Sequence, residues 1–112
     1  METIEVGSVF VETWGYDQSN VDCYVVVRTT PKMVALKPCG TTHFGDQVTP
    51  DPSNIFEWGP YCRVGKPNAN GEVMKRLSSG WRAEAWLNMT SYSGAHLWEG
   101  RSYYETPAGM GH

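Results

Sequence analysis

Short polar and acidic side chains cluster in the segment TWGYDQSNVDCY, which lies between two apolar runs. Oxygen-bearing side chains are dense there: Asp17, Ser19, Asn20 and Asp22. Oxygen ligands suit calcium, but an EF-hand loop needs a ligand at its fifth position and Gly at its sixth. Counted from Asp17, those positions hold Val21 and Asp22, so the spacing does not fit that calcium loop.

The two carboxylates of this segment, Asp17 and Asp22, could form a general acid–base pair in a small hydrolase-like enzyme. Loop Asp and Asn side chains more often accept hydrogen bonds from nearby backbone N–H groups and so stabilise turns. Gly15 favours the turn interpretation, because glycine adopts positive φ without strain. We therefore expect no catalytic centre here, and we keep an enzyme that uses Asp17 and Asp22 as an alternative.

Other chemistries lack their sequence patterns. The chain contains no Gly-x-Ser-x-Gly elbow, no Cys-x-x-Cys and no His-x-x-x-His. The three cysteines, Cys23, Cys39 and Cys62, are odd in number and widely spaced. In a reducing compartment such cysteines are expected to be free thiols that are at least partly buried. We expect no cofactor and no bound metal.

A second candidate surface lies between residues 58 and 86, where aromatic and basic side chains are interspersed. Residues 59–82 carry five basic residues against the single acid Glu72, whereas residues 1–22 carry five acids and no Lys or Arg. Single-stranded nucleic acid is bound by aromatic stacking combined with a basic groove. The residues of this alternative are Trp58, Arg63, Lys66, Lys75, Arg76, Trp81, Arg82 and Trp86. The net charge of −3 opposes binding driven by the phosphate backbone, so nucleic acid is the second interpretation.

The elements that must position these side chains read as strands. Apolar and polar residues alternate over 6–14, and residues 23–30 are rich in β-branched side chains. A third short strand is predicted over 33–37, ended by Pro38 and Gly40, because Pro removes a backbone donor. The close connections between these strands indicate an antiparallel meander.

The middle of the chain, residues 40–71, has the composition of turns and little periodicity. We predict an irregular insertion there, with residues 55–58 returning to the core. Further strands are predicted over 72–77, over 81–89 and around 101–105. The whole pattern predicts one mostly-β domain of 112 residues, a small, partly open SH3-like barrel or a strongly bent sheet.

The N-terminal sequence METIEVGSVF has acidic residues where a signal peptide is basic. No apolar run approaches the ~20 residues that a membrane-spanning helix needs. We therefore expect a cytoplasmic protein without a membrane partner.

The sequence VGSVFVETWGYDQSNVDCY, followed by a valine-rich strand and VALKP, resembles a family of small uncharacterised proteins. Members are carried by phages, plasmids and their bacterial hosts, particularly actinobacteria. The family segment typically reads W-G-Y-D-Q-T-N-x-D-F-Y, so that Ser19 and Cys23 replace Thr and Phe here. The closing GMGH is also similar to the family's usual ending. The resemblance implies a mobile-element accessory protein in the cytoplasm of a bacterial host, and it implies no catalytic residue.

These observations predict a non-enzymatic binding module that contacts a host macromolecule, with a protein as the first expectation. Aromatic residues beside short polar ones supply rigid contact area and adaptable hydrogen bonds, which protein-binding loops use. The expected contact residues are Trp14, Tyr16, Asp17, Gln18, Asn20, Asp22 and Tyr24. The sequence indicates neither the identity of the partner nor an oligomeric state.

Overall fold

The computed structural model describes residues 4–14, 20–59, 64–79, 85–90, 93–98, 100 and 102–104. The backbone alone is described for nine strand residues: Thr13, Trp14, Asn20, Ser78, Ser79, Ala85, Trp86, Ser93 and Tyr104. The described elements are eight strands: β1 Val9–Trp14, β2 Asn20–Thr29, β3 Met33–Phe44, β4 Gln47–Ile55, β5 Val73–Ser79, β6 Ala85–Thr90, β7 Ser93–Leu97 and β8 Tyr103–Tyr104. In the described part of the chain there is no helix that is long and apolar enough to cross a membrane.

Six of the strands close into a barrel. The order β1-β7-β6-β5-β3-β2 returns to its start because β2 pairs with both β3 and β1. Every described pairing is antiparallel. The predicted small antiparallel barrel of the SH3-like class is confirmed, with a closed ring. The two remaining strands lie outside the ring, because β4 pairs with the far half of β3 and β8 pairs with β4.

Side chains at alternate positions fill the barrel, since successive residues of a strand point to opposite faces. We call this set the inner cluster: Phe10, Tyr24, Val26, Val34, Leu36, Val64, Val73, Leu87, Met89 and Ala95. On β5, Val73, Lys75 and Leu77 share the inward face, as the alternation of the sequence predicts. Among the described residues, the barrel interior is therefore mainly apolar, and Lys75 is one of the charged side chains that face it.

The intervening residues of β1 and β2 build a second core on the outside of the barrel. We call it the outer cluster: Val9, Val11, Val21, Cys23, Val25, Cys39, Val48 and Tyr103. Residues 39–55 and 103–104 cover it, and we call these residues the flap. The run of valines in β2 is thus buried on both faces, by the barrel interior on one side and by the flap on the other.

The predicted end of the third strand at Pro38 and Gly40 is wrong. β3 continues to Phe44, with Pro38 opposite Tyr24. The register shifts between Cys39 and Gly40. Because these two consecutive residues face Ile55 and Asp51, the extra residues of the bulge, 52–54, belong to β4. β3 itself pairs with β2 up to Cys39 and with β4 from Cys39 onward. One long strand can therefore serve the barrel with its first half and the flap with its second.

The prediction of an irregular insertion is wrong for its first half. A two-residue turn with Gly45 at φ 64° joins β3 to β4. Pro50 and Pro52 fit in β4 because, within the described residues, β8 pairs with Gln47 and Val48 alone, and the prolines lie where no donor to β8 is needed. Sequence rules that treat Pro as a strand breaker miss such edge strands.

The predicted return of residues 55–58 to the core holds for Trp58, which packs against the inner cluster. It is wrong for Ile55 and Phe56, which are about half exposed, at 47% and 49%. Val64 then enters the inner cluster from the same irregular part of the chain. The sequence patterns do not predict the strand β7. Of the strand predicted over 81–89, residues 81–84 lie outside the described residues, and β6 covers the rest.

Candidate functional site

The predicted binding loop is described only at its edges. Trp14 and Asn20 are opposite each other at the ends of β1 and β2. Tyr16, Asp17 and Gln18 lie outside the described residues, so their contact role remains a prediction. The ladder shows that the loop connects two paired strands, as the sequence predicts.

Tyr24 is mainly a core residue, although it also contributes to the lining of the groove described below, so its predicted contact role stays a prediction. It is 4% exposed, and its hydroxyl donates a 2.9 Å hydrogen bond to Oε1 of Glu12. Its ring stacks on Trp58 with centroids 5.7 Å apart and an interplanar angle of 24°. The aromatic ring was expected at a strand end facing a partner, but alternation along β2 turns it into the barrel.

Glu12 is a buried carboxylate that the sequence interpretation missed. It is fully buried and lies directly opposite Asp22 in the β1–β2 ladder. Strand alternation does indicate this burial, because Glu12 shares its strand face with Phe10, an inner-cluster residue. The predicted acid pair was Asp17 with Asp22, whereas the structure brings Asp22 opposite Glu12.

A groove opens where β2 and β3 separate. Their ladder begins at the pair Cys23 and Cys39, and beyond that point β3 continues as a partner of β4. The resulting cavity has a volume of about 340 Å³. Its lining includes Asp22, Thr41 and Asn54 as polar groups and Phe56 as an aromatic group, with both cysteines also contributing.

The groove depends on a close approach at Gly40. A Cβ atom at this position would lie 2.6 Å from Nδ2 of Asn54 and 3.3 Å from Cε2 of Phe56. The absence of a side chain therefore lets the end of β4 and the following residue fold back against β3. This contact positions Asn54 and Phe56 at the groove, and no short sequence pattern predicts it.

The two groove cysteines form a contacting pair of free thiols. Cys23 and Cys39 are 3% and 7% exposed, so the expectation of buried free thiols is met at both positions. A hydrogen bond from Cys23 lowers the pKa of the Cys39 thiol, while burial and the nearby charge of Asp51 act in the opposite direction. Cys62 lies outside the described residues.

Large exposed apolar side chains are concentrated on or next to the flap. Phe44 at its turn is 86% exposed, while Ile55 and Phe56 stand at its other end. Val6, before β1, is the remaining large hydrophobic residue of this kind among the described residues. The barrel proper buries its apolar side chains, whereas the flap displays some of its own.

Two residues of the nucleic-acid alternative are engaged inside the barrel. Nε1 of Trp58 donates a 2.8 Å hydrogen bond to the carbonyl oxygen of Leu36, and Nζ of Lys75 donates a 2.8 Å hydrogen bond to the carbonyl oxygen of Met89. These contacts give Trp58 and Lys75 a structural role. The other residues of that alternative divide into the exposed Lys66 and Arg76, the backbone-only Trp86, and three outside the described residues: Arg63, Trp81 and Arg82.

Within the described ranges, no three His, Cys, Asp or Glu side chains converge as they would around a metal ion. Comparison with protein-family models, with curated proteins and with solved structures gives no significant match to this chain. Function has to be inferred from the geometry of the groove and its surroundings.

Proposed function

We propose that this protein is a non-enzymatic binding module, an accessory protein of a phage or other mobile element that engages a host protein in the bacterial cytoplasm. The proposed binding site combines the groove with the contact residues that the sequence predicts over 14–22. The observation that carries the proposal is the half-exposed Phe56 at a groove with polar walls.

The apolar part of the site supplies an anchor. Exposed hydrophobic residues scattered singly are normal on protein surfaces. Ile55 and Phe56, however, are adjacent, and Phe56 lines a concave surface. Aromatic residues are enriched at protein interfaces, where they fill pockets at the centre of the contact. A partner side chain that packs on Phe56 would bury area that the free protein leaves in water.

The polar part of the site selects the chemistry of the partner. Asp22 lines the groove and Asp51 is close enough to Cys39 to act on its pKa. Thr41 and Asn54 add hydroxyl and amide groups that can pair with a peptide backbone. A protein segment that places a Lys or Arg beside an aliphatic or aromatic side chain complements this arrangement.

The proposal is tested by selecting a random peptide library on the immobilised protein and titrating the best peptide by calorimetry. We expect enrichment of peptides that contain a basic residue next to an apolar one. Asp22→Asn and Phe56→Ala should each weaken binding by about tenfold, the loss expected for one interface anchor. Phe44→Ala is the matched control, because Phe44 is more exposed than Phe56 and does not line the groove.

Two results would count against the proposal. A library that yields no peptide above the background of the support would remove the site as a peptide-binding surface. Equal losses for Phe44→Ala and Phe56→Ala would show that any binding depends on general surface hydrophobicity. Tyr16→Ala and Asp17→Asn, measured with the same peptide, then test whether the predicted loop contributes.

A further inference from the structure

We infer that Cys23 and Cys39 form a redox-active dithiol, which low-molecular-weight disulfides such as oxidised glutathione convert to an intramolecular disulfide across β2 and β3. This modification site does not depend on the proposed binding function. The two cysteines are register partners in the β2–β3 ladder, and both line the groove.

The backbone geometry suits the bond. Directly opposed residues of antiparallel strands have Cα atoms about 4.5 Å or about 5.5 Å apart, depending on the hydrogen-bonding pattern of the pair. A disulfide accepts Cα separations of about 4.4–6.8 Å, so either pattern is compatible. Both side chains belong to the outer cluster, which places them on the same face of the sheet. The bond can therefore form without moving the strands apart or shifting their register.

The contact between the thiols supplies the nucleophile. Cys23 donates a hydrogen bond to the sulfur of Cys39, and this hydrogen bond lowers the pKa of Cys39. The thiolate is the attacking form in thiol–disulfide exchange. Because both residues line a groove of about 340 Å³, a small disulfide can approach them although their exposed fractions are low.

The reaction balances in two exchange steps. The Cys39 thiolate attacks one sulfur of oxidised glutathione, forming a mixed disulfide and releasing one glutathione thiolate. Cys23, as its proton leaves to solvent, attacks the Cys39 sulfur of the mixed disulfide and releases the second glutathione. Two protein thiols are thereby oxidised to one disulfide, and one molecule of oxidised glutathione is reduced to two of glutathione.

The bond would lie at a structural junction. Cys39 is the last residue of β3 before the register shift at which the strand leaves the barrel for the flap. A disulfide there would close a covalent loop of residues 23–39 and fix the first residue pair of the β2–β3 ladder, which lies beside the groove. Oxidation should therefore stabilise the attachment of the flap.

The test uses the Cys62→Ser protein in glutathione buffers of increasing oxidised fraction, followed by alkylation, trypsin digestion and mass spectrometry. Trypsin sites after Arg28 and Lys32 separate Cys23 from Cys39, so the disulfide appears as a linked peptide pair. We expect that pair to increase with the oxidised fraction and the melting temperature to rise by on the order of 10 °C. In wild-type protein treated in parallel, fragmentation of the linked pair must place the bond on Cys39, because Cys39 and Cys62 share the tryptic peptide 33–63; a defect specific to Cys62→Ser then does not decide the result.

The double variant Cys23→Ser/Cys62→Ser supplies the mechanistic control. It should stop at the mixed disulfide on Cys39, because the second exchange step has lost its nucleophile. The inference is overturned if both thiols stay fully alkylatable in the most oxidising buffer. It is also overturned if the mixed disulfide accumulates equally with and without Cys23.

Discussion

The inner and outer clusters are built on opposite faces of the same two strands, yet they are enclosed in different ways. The inner cluster lies within a ring of six strands that pair without a break. The outer cluster is covered by the flap, in which β4 pairs with β3 on one side and, among the described residues, with the two-residue strand β8 on the other. One set of valines is enclosed by a closed ladder, and the other is covered by a hairpin with an open edge.

This difference supports the proposed positions of the binding site and of the redox-active cysteine pair. A closed barrel abolishes strand edges, while an edge strand keeps unpaired backbone groups and opens more easily. The groove, the half-exposed pair Ile55 and Phe56, and the cysteine pair all lie at the margin between the barrel and the flap. In both proposals the barrel supplies rigidity and this margin supplies the surface.

The largest effect that tests this comparison comes from a matched pair of core truncations. Val26 and Val48 are both fully buried, one in the inner cluster and one in the outer cluster. We expect Val26→Ala to lower the free energy of unfolding by about 2–3 kcal/mol, because a closed barrel cannot collapse around the cavity. Val48→Ala should cost about 1 kcal/mol, because the flap can relax onto the space. Urea unfolding of the two variants gives both values.

Hydrogen exchange of the same two variants separates local from global opening. Val48→Ala should accelerate exchange in β4 more than in the barrel strands, while Val26→Ala should accelerate exchange throughout the barrel. Equal destabilisation with uniform exchange in both variants would mean that the flap and the barrel form one cooperative unit. The contrast between the two clusters would then be one of geometry alone.

A smaller loss of stability is expected on removing either of two tyrosine hydroxyls, one in the inner cluster and one in the outer cluster. Tyr24 donates to the buried Glu12 at 2.9 Å, and the hydroxyl of Tyr103 lies 2.9 Å from Nε2 of His96 at the flap. Tyr24→Phe should cost about 1–2 kcal/mol, because a buried carboxylate loses a donor. Tyr103→Phe, at a part-buried hydrogen bond, should cost about 0.5–1 kcal/mol.

Thermal unfolding of both tyrosine variants checks this order. Phe in place of Tyr24 keeps an aromatic ring to stack on Trp58, so the variant isolates the hydroxyl. If Tyr103→Phe lowered the melting temperature more than Tyr24→Phe, the buried hydrogen bond between Tyr24 and Glu12 would contribute less to stability than its burial suggests. The hydrogen bond of Tyr103 in the outer cluster would then stabilise the fold more than the open edge of the flap indicates.

The features that could be predicted from the sequence are those set by local alternation. Val9, Val11 and Val25 identify β1 and β2, and the close connections identify the meander. The features that could not be predicted depend on how β3 pairs with its neighbours. β3 continues past Pro38 as a partner of β2 and then of β4, the β3–β4 register shifts between Cys39 and Gly40, and the β2–β3 register places Cys23 opposite Cys39.

The groove contains one of the predicted contact residues that the sequence segment itself brings there, Asp22, beside the buried Tyr24. Thr41, Asn54 and Phe56 come from the flap and the residue after it by a fold-back that needs Gly40, so their proximity is tertiary and no short pattern predicts it. The burial of Glu12 depends in the same way on a distant residue, because Tyr24 provides its carboxylate with a donor.

The smallest effect concerns the ion pair of Arg28 and Glu72 on the barrel. The carboxylate of Glu72 accepts hydrogen bonds from Nη2 of Arg28 at 2.9 Å and from Nδ2 of Asn68 at 3.2 Å. These hydrogen bonds hold the pKa of Glu72 below its ordinary value. A carboxylate with a depressed folded-state pKa contributes stability above its unfolded pKa, about 4.3, and loses that contribution as the pH falls through its folded pKa.

Glu72→Gln should therefore unfold more easily than the wild type at pH 7, and the difference should shrink as the pH is lowered below about 4. Glu57→Gln is the matched control, because Glu57 pairs with Lys37 at 3.0 Å but its side chain is 78% exposed. Exposed pairs contribute little, so this variant should follow the wild type at both pH values. A difference for Glu72→Gln that persists at low pH would assign the effect to the packing of the side chain. If the difference disappears at low pH, the charge of Glu72 on the barrel wall stabilises the folded protein. If Glu57→Gln also follows the wild type, the more exposed charge of Glu57 adds no stability.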